Sequence, residues 1–335
     1  MAEINSNKQI ENALSVAYAN GKRRNIKLPD SGNFILSGNA ETMQLFLTRK
    51  AVVHNMQDDV AALEGWLLAL KAWGVIGNVQ LKWDVPEMLD EDVVKKSHYQ
   101  RFLYRVTWFE KLFGSWFKVA PECVEHLKAS KVIGESKVAP LRVNAAKKPN
   151  SVPDARSKES RLEEYLAEGW LAETFALNKV GRQFPVGLFE NTISQKTSIF
   201  AGGKSAIDLV GIEDKAKRLW VFELKAEGNE SMGIISELFF YVLFMRDVIL
   251  GAFELQDVEG DAEEGDAKKG RLTLGQQKRG EIKEIRGCLL APKFHPLLDN
   301  NRVIDLLNTA SWPGDFKIKF CAEKLPATLV ARVTA

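Results

Sequence analysis

The sequence KSAIDLVGIEDKAKRLWVFELKA, residues 204–226, contains two short apolar runs separated by a charged turn. Both runs are rich in β-branched and aromatic residues, which predicts two neighbouring strands. Asp208 interrupts the first run, and Glu223 and Lys225 lie in the second with one residue between them. Because side chains alternate along a strand, Glu223 and Lys225 point to the same face. We therefore expect Asp208, Glu223 and Lys225 to meet on one face of a sheet.

The segments around this strand pair predict an α/β fold. A helix precedes the pair, a long apolar helix follows it, and a strand, a helix and a last strand complete the C-terminal part. This order is typical of a mixed central sheet flanked by helices. The predicted helices cover residues 158–177, 231–249 and 295–310, and the predicted strands cover residues 204–212, 218–226, 285–292 and 316–323.

Residues 135–158 contain three prolines and four lysines with little apolar periodicity, which predicts a linker. We expect an N-terminal domain at residues 1–140 and an α/β domain at residues 156–335. The N-terminal domain is predicted to be mainly helical, because apolar residues recur at helical spacing in residues 58–75 and 98–117. Its role would be target recognition or assembly.

The second of these helices interleaves aromatic and basic side chains, such as Phe102 and Trp108 with Arg101 and Arg105. One interpretation is an amphipathic helix whose aromatic residues belong to the core. The other is an aromatic and basic face that stacks on nucleic acid. We favour the core interpretation.

Two carboxylates and an ammonium group on one sheet face are costly to bury unless something compensates their charge. A divalent cation does so, because Mg²⁺ takes oxygen ligands and is held by one or two carboxylates together with substrate phosphate. Asp208 and Glu223 are the candidate ligands for Mg²⁺ or Mn²⁺, and Lys225 would orient the attacking water or neutralise charge on the phosphorane. Alternatively, Asp208 caps a strand end, while Glu223 and Lys225 form a surface ion pair on an edge strand.

Residues 159–250 resemble the PD-(D/E)XK nuclease superfamily, and look most like its RecB- and NucS-type branches. The family signature is an Asp at a strand end, followed by a second strand that reads (D/E)-x-K. Asp208 matches the first acid, and Glu223, Leu224 and Lys225 match the second element. The resemblance implies a restriction-endonuclease-like fold and hydrolysis of phosphodiester bonds.

The family also has a Q-x-x-x-Y pattern on the helix that follows these strands. Tyr241 matches the tyrosine, but Glu237 stands where the usual Gln would be. The resemblance implies that both residues support the catalytic site, and the departure leaves open whether Glu237 contacts metal, substrate or water. Family members place a further glutamate on the helix before the sheet. Glu159 and Glu163, four residues apart on one flank of that helix, are both candidates for this accessory metal ligand.

The resemblance implies a Mg²⁺- or Mn²⁺-dependent nuclease, and we expect DNA rather than RNA as its partner. By analogy with the family, the setting is bacterial restriction, repair or anti-phage defence. We also expect a homo-oligomer, a dimer or higher, because a duplex has two strands to cut. The alternative function is a non-catalytic nucleic-acid-binding or assembly module that retains the nuclease fold.

The composition, with 45% hydrophobic and 27% charged residues, is that of a globular protein. No apolar run is long enough to span a bilayer, and the N-terminus lacks a signal-peptide pattern. Cys123, Cys288 and Cys321 form no CxxC pair, which argues for a reducing compartment and against a disulfide framework or structural zinc. We therefore expect a cytoplasmic protein without a membrane partner. Residues 1–150 hold 21 basic and 16 acidic residues, a net +5 that is compatible with nucleic acid as partner.

Overall fold

The computed structural model describes most of the chain, but most of the predicted linker at residues 135–158 lies outside the described residues. Within the described part, no helix is long and apolar enough to cross a membrane. The described residues are 6–18, 26–87, 92–128, 130–132, 140–144, 157–200, 205–226, 231–255, 274 and 276–334.

Helices and strands alternate along much of the chain. The helices are α1 (Asn7–Tyr18), α2 (Arg49–Val52), α3 (Leu63–Ala72), α4 (Val93–Phe113), α5 (Pro121–Lys128), α6 (Lys158–Tyr165), α7 (Leu171–Phe175), α8 (Gly233–Ile249), α9 (Gln276–Glu281), α10 (Arg302–Leu307) and α11 (Ala327–Thr334). The strands are β1 (Phe34–Gly38), β2 (Thr42–Leu47), β3 (Asn78–Trp83), β4 (Phe117–Val119), β5 (Leu141–Asn144), β6 (Lys179–Pro185), β7 (Gly187–Glu190), β8 (Ser198–Phe200), β9 (Ala206–Glu213), β10 (Arg218–Leu224), β11 (Glu254–Leu255), β12 (Glu284–Ala291) and β13 (Lys317–Lys324). A single π-helical turn, Leu166–Trp170, joins α6 to α7.

The chain divides into two compact units. Each unit is built from three stretches of sequence, so neither is one continuous segment. The first unit contains Met1–Lys137, Ser231–Glu237 and His295–Ser311, and the second contains Val138–Glu230, Leu238–Phe294 and Trp312–Ala335.

The first unit contains a four-stranded mixed sheet with strand order β1-β2-β3-β4. β1 and β2 are antiparallel, whereas β2, β3 and β4 are parallel. The expectation of a mainly helical N-terminal domain missed this sheet, although the predicted helices are present as α3 and α4. The four strands escaped the prediction because each is only three to six residues long.

The aromatic residues of α4 belong to the core of the first unit. Phe102, Tyr104 and Phe109 are at most 2% exposed, and Arg101 and Arg105 on the same helix are buried as well. The core interpretation of this helix is therefore confirmed, and its interpretation as a face that stacks on nucleic acid is wrong.

A buried ion pair ties α4 to α3. Arg105 Nη1 lies 2.5 Å from Glu64 Oε2, and Arg105 Nη2 donates to the Ala61 carbonyl at 3.2 Å. Burial raises the pKa of Glu64 and lowers that of Arg105, while the pairing opposes both shifts. Nearby, burial and the positive charges of Arg101 and Arg105 lower the pKa of His98 to about 4.

The second unit contains a five-stranded mixed sheet with strand order β13-β12-β10-β9-β6. β10, β12 and β13 are parallel, and β9 runs antiparallel to both β10 and β6. The prediction of an α/β fold with a mixed sheet flanked by helices is confirmed. A second sheet in this unit, with order β11-β5-β7-β8, was not predicted.

Helices cover both faces of the five-stranded sheet. On one face, Leu162 of α6 and Leu329 of α11 pack in a hydrophobic cluster with Phe222 of β10. On the other face, α8 lies so close to β12 that a Cβ at Gly287 would meet Val242 Cγ2 at 2.7 Å. The three layers bury β10 almost completely, and this strand carries Glu223.

Candidate functional site

Asp208 and Glu223 lie on the neighbouring central strands β9 and β10. The antiparallel register of the two strands ends at Phe222 opposite Leu209, so the next position along the ladder places Glu223 opposite Asp208. Directly opposed residues of an antiparallel pair have Cβ atoms roughly 4.5–5.5 Å apart. The register therefore brings Asp208 and Glu223 to neighbouring positions on adjacent strands.

A third strand contributes Gln183. The register of β6 on β9 pairs the two neighbours of Gln183 with the two neighbours of Asp208. Gln183, Asp208 and Glu223 therefore occupy equivalent positions on β6, β9 and β10, and we call these three residues the cross-strand row. The backbone of Gln183 has φ of 54°, a left-handed conformation that interrupts regular pairing at this point.

Glu223 and Lys225 form a buried ion pair. Lys225 Nζ donates to Glu223 Oε1 at 2.5 Å, and the side chains are 8% and 1% exposed. A buried carboxylate needs such a partner, since desolvation strongly disfavours an unpaired charge. The alternative interpretation of a surface pair on an edge strand is wrong, because β10 lies between β9 and β12 and both residues are buried.

Hydrogen bonds to the backbone fix the end of β10. Asp208 Oδ2 accepts from the Leu224 amide at 2.9 Å, and the Lys225 amide donates to the Leu290 carbonyl at 2.9 Å. The first bond orients the Asp208 carboxylate towards β10. The second extends the parallel pairing of β10 with β12 by one residue, which holds the backbone of Lys225 in place.

Glu163 of α6 is linked to the cross-strand row. Gln183 Nε2 donates to both carboxylate oxygens of Glu163, at 3.0 and 2.9 Å, and Glu163 is 5% exposed. Of the two candidates for the accessory ligand, Glu159 is only partly buried. Glu164, the next acid on α6, pairs with Arg182 Nη1 at 3.6 Å instead. The geometry favours Glu163 over Glu159.

The two predicted residues on α8 have different surroundings. Glu237 is 1% exposed and belongs to the first unit, where the Gln57 side chain donates a hydrogen bond to its carboxylate. Tyr241 belongs to the second unit, is 2% exposed, and contacts the Phe240 ring at a centroid distance of 5.7 Å. Both side chains are buried.

Gln183 is the residue of this site that sequence reasoning missed. The strand around it reads KVGRQFP and contains few apolar residues, so it does not stand out as a buried strand. A single glutamine beside Phe184 matches no sequence pattern of a catalytic or metal-binding residue. Only the register of β6 on β9 and the bond to Glu163 reveal its position.

The donor chemistry of the site fits a hard cation. Asp208, Glu223 and Glu163 offer only carboxylate oxygens, the ligands that Mg²⁺ and Mn²⁺ prefer. Among the described residues, no group of three or more His, Cys, Asp and Glu side chains is arranged as a ready-made metal site. One or two carboxylates are sufficient for Mg²⁺ when the substrate phosphate supplies further oxygens.

Comparison of the chain with known protein families, with curated proteins and with solved structures gives no match. The fold class, a mixed α/β arrangement, is given by the sheets and helices themselves.

Proposed function

We propose that the chain is a metal-dependent nuclease that hydrolyses phosphodiester bonds in DNA. The observation that carries the proposal is the placement of Asp208 and Glu223 at opposed positions of two central strands, with the Lys225 ammonium bound to Glu223. Burial of these charges is costly for the fold. Buried charges that cost the fold stability are typical of catalytic and binding sites.

The carboxylates would hold the cation. Asp208 and Glu223 are the proposed ligands of Mg²⁺ or Mn²⁺, with Glu163 as the accessory ligand. When bound, such an ion polarises the scissile phosphate and lowers the pKa of a coordinated water. Gln183 keeps Glu163 in position, since it bonds both carboxylate oxygens.

Lys225 is proposed to act on the reacting groups directly. An ammonium group has three N–H donors, and the contact with Glu223 Oε1 uses one of them. A second donor would orient the attacking water or bind a phosphate oxygen as negative charge develops on it. Tyr241 is proposed to support the site from α8.

By analogy with the family, the proposed substrate is DNA rather than RNA and the proposed setting is restriction, repair or anti-phage defence. A homo-oligomer would provide a site for each strand of a duplex. The cysteine pattern supports a cytoplasmic location. The net charge of +5 in residues 1–150 supports a nucleic acid as the partner.

A cleavage assay tests the proposal. The full chain is incubated with supercoiled plasmid, linear duplex, single-stranded DNA and RNA, in Mg²⁺, Mn²⁺ or chelator. We expect metal-dependent cleavage of DNA that is lost in chelator. Lys225→Met and Glu223→Gln should each lower the rate by about 100-fold or more, as removal of a charge-stabilising group does elsewhere. Lys179→Met, which changes an exposed lysine of β6, is the matched control and should cleave normally.

Two outcomes would reject this function. If the chain binds nucleic acid and cleaves none of the four substrates with either metal, the non-catalytic binding module becomes the better account. If cleavage persists unchanged in Lys225→Met and Glu223→Gln, the active site lies elsewhere.

A further inference from the structure

Two cysteines face each other on the parallel strands β12 and β13. Cys288 and Cys321 are register partners, so their side chains leave the sheet on the same face. Neighbouring strands are about 4.8 Å apart, within the roughly 4.4–6.8 Å that separates the Cα atoms of a disulfide. The pair therefore has the backbone spacing that a disulfide requires.

Cys288 and Cys321 need to move only slightly closer to each other to form a disulfide. Disulfide Cβ atoms are roughly 3.5–4.5 Å apart, somewhat closer than the strand spacing. β13 is the edge strand of the five-stranded sheet and is hydrogen-bonded within it only to β12, among the described residues. A slight movement of this edge strand brings the two sulfur atoms together without disturbing the strands that carry Asp208 and Glu223.

The two thiols are chemically unequal. Cys288 is fully buried in the hydrophobic cluster, whereas Cys321 is only partly buried at its margin. The neighbouring thiol of Cys321, together with burial, raises the pKa of Cys288 well above its usual range, and the neighbouring thiol of Cys288 lowers the pKa of Cys321. The positive charge of Arg286, on the same face, also lowers the pKa of Cys321. Cys321 is thus the accessible nucleophile and Cys288 the buried partner.

We propose that Cys288 and Cys321 form an oxidisable dithiol that hydrogen peroxide converts into an intrachain disulfide. In the first step the Cys321 thiolate attacks one peroxide oxygen, the O–O bond breaks, and hydroxide leaves and takes up a proton to give water and a sulfenic acid. In the second step Cys288 loses its proton and attacks the Cys321 sulfur, which expels the hydroxyl group as a second water. Two thiols and one peroxide thus yield one disulfide and two waters.

The two cysteines lie on the sheet face opposite to Glu223 and Lys225 of the proposed nuclease site. Cys288 pairs with Phe222 in the ladder of β10 and β12, so it lies on the sheet face opposite to Glu223. Formation of this disulfide therefore does not depend on nuclease activity.

Thiol counting on the intact, reduced full-length chain tests the proposal. The chain has three cysteines, and after peroxide treatment we expect one free thiol when the protein is unfolded and titrated. Peptide mapping should find Cys288 joined to Cys321, and dithiothreitol should restore all three thiols. The matched control Cys123→Ser should lose both of its remaining thiols and give the same cross-linked peptide.

The order of attack is tested with a sulfenic-acid trap such as dimedone. Cys288→Ala should accumulate trapped Cys321, because the resolving thiol is missing. If that variant fails to fold, trapping in the wild-type chain during the first moments of oxidation gives the same information at Cys321. The proposal is overturned if three thiols survive the treatment in the wild-type chain, or if the disulfide that forms includes Cys123 or a second chain.

Discussion

Removal of the Lys225 ammonium should destabilise the second unit strongly. In Lys225→Met the Glu223 carboxylate stays buried at 1% exposure without this partner. Breaking a buried pair by removing one member costs about 3–5 kcal/mol, and because both side chains are at least nine-tenths buried no discount for solvent screening applies. We expect a loss of that size in the free energy of unfolding.

A double-mutant cycle separates the ion pair from simple loss of packing. Glu223→Gln with Lys225→Met removes both charges, so the double variant should be more stable than the sum of the single effects predicts. The coupling should be about 2–3 kcal/mol, as for residues in direct contact. Urea unfolding, followed by tryptophan fluorescence and far-UV circular dichroism, measures each free energy.

An exposed ion pair of the same chain provides the control. Lys128 Nζ lies 2.7 Å from Glu125 Oε1, with side chains that are 68% and 72% exposed. The same cycle with Glu125→Gln and Lys128→Met should give a coupling below about 1 kcal/mol. A coupling at Glu223 and Lys225 no larger than that of this exposed pair would show that burial adds nothing to the interaction of the two charges.

Three further predictions concern the site, the sheet and the pH dependence. Gln183→Ala releases Glu163, so metal affinity measured by titration calorimetry should fall about 10- to 100-fold, whereas an unchanged affinity would remove Gln183 from the site. Gly287→Ala places a Cβ against α8 and should cost about 1–3 kcal/mol in urea unfolding, while Gly280→Ala, in helix α9 with no described atom near the added Cβ, should not destabilise the chain. His98 has a pKa of about 4 in the folded chain, below its ordinary 6.5. Between these pH values the unfolded chain binds a proton at His98 that the folded chain does not. The free energy of unfolding should therefore be highest above pH 6.5 and decline as the pH falls towards 4. His98→Gln should flatten this slope in unfolding curves measured across that window, and an unchanged slope would contradict the assignment.

The elements that carry the candidate acids could be predicted from the sequence. β9 and β10 are dense apolar runs, and a charged residue inside such a run marks both the strand and the candidate site. α8 likewise has the length and apolar content of a buried helix, and its predicted bounds, 231–249, agree closely with Gly233–Ile249. These features depend only on short stretches of sequence, so they can be predicted without knowledge of the fold.

The features that depend on strand order could not be predicted. β10 is central because β12, some sixty positions later in the chain, pairs with its free side. That pairing buries the ion pair of Glu223 and Lys225, and no local pattern indicates it. The role of Gln183 depends on the register of β6 in the same way. The sheet of the first unit could not be predicted because its four strands are short, and their pairing depends on residues far apart in the sequence.

Titration of the full chain with Mn²⁺, followed by electron paramagnetic resonance, tests most directly whether Asp208 and Glu223 bind a divalent ion together. We expect one ion per chain in the wild type and in the control Lys179→Met, with binding abolished in Asp208→Asn and in Glu223→Gln. Wild-type chain that leaves all Mn²⁺ in solution, or variants that bind it as tightly as the wild type does, would contradict the proposed metal site.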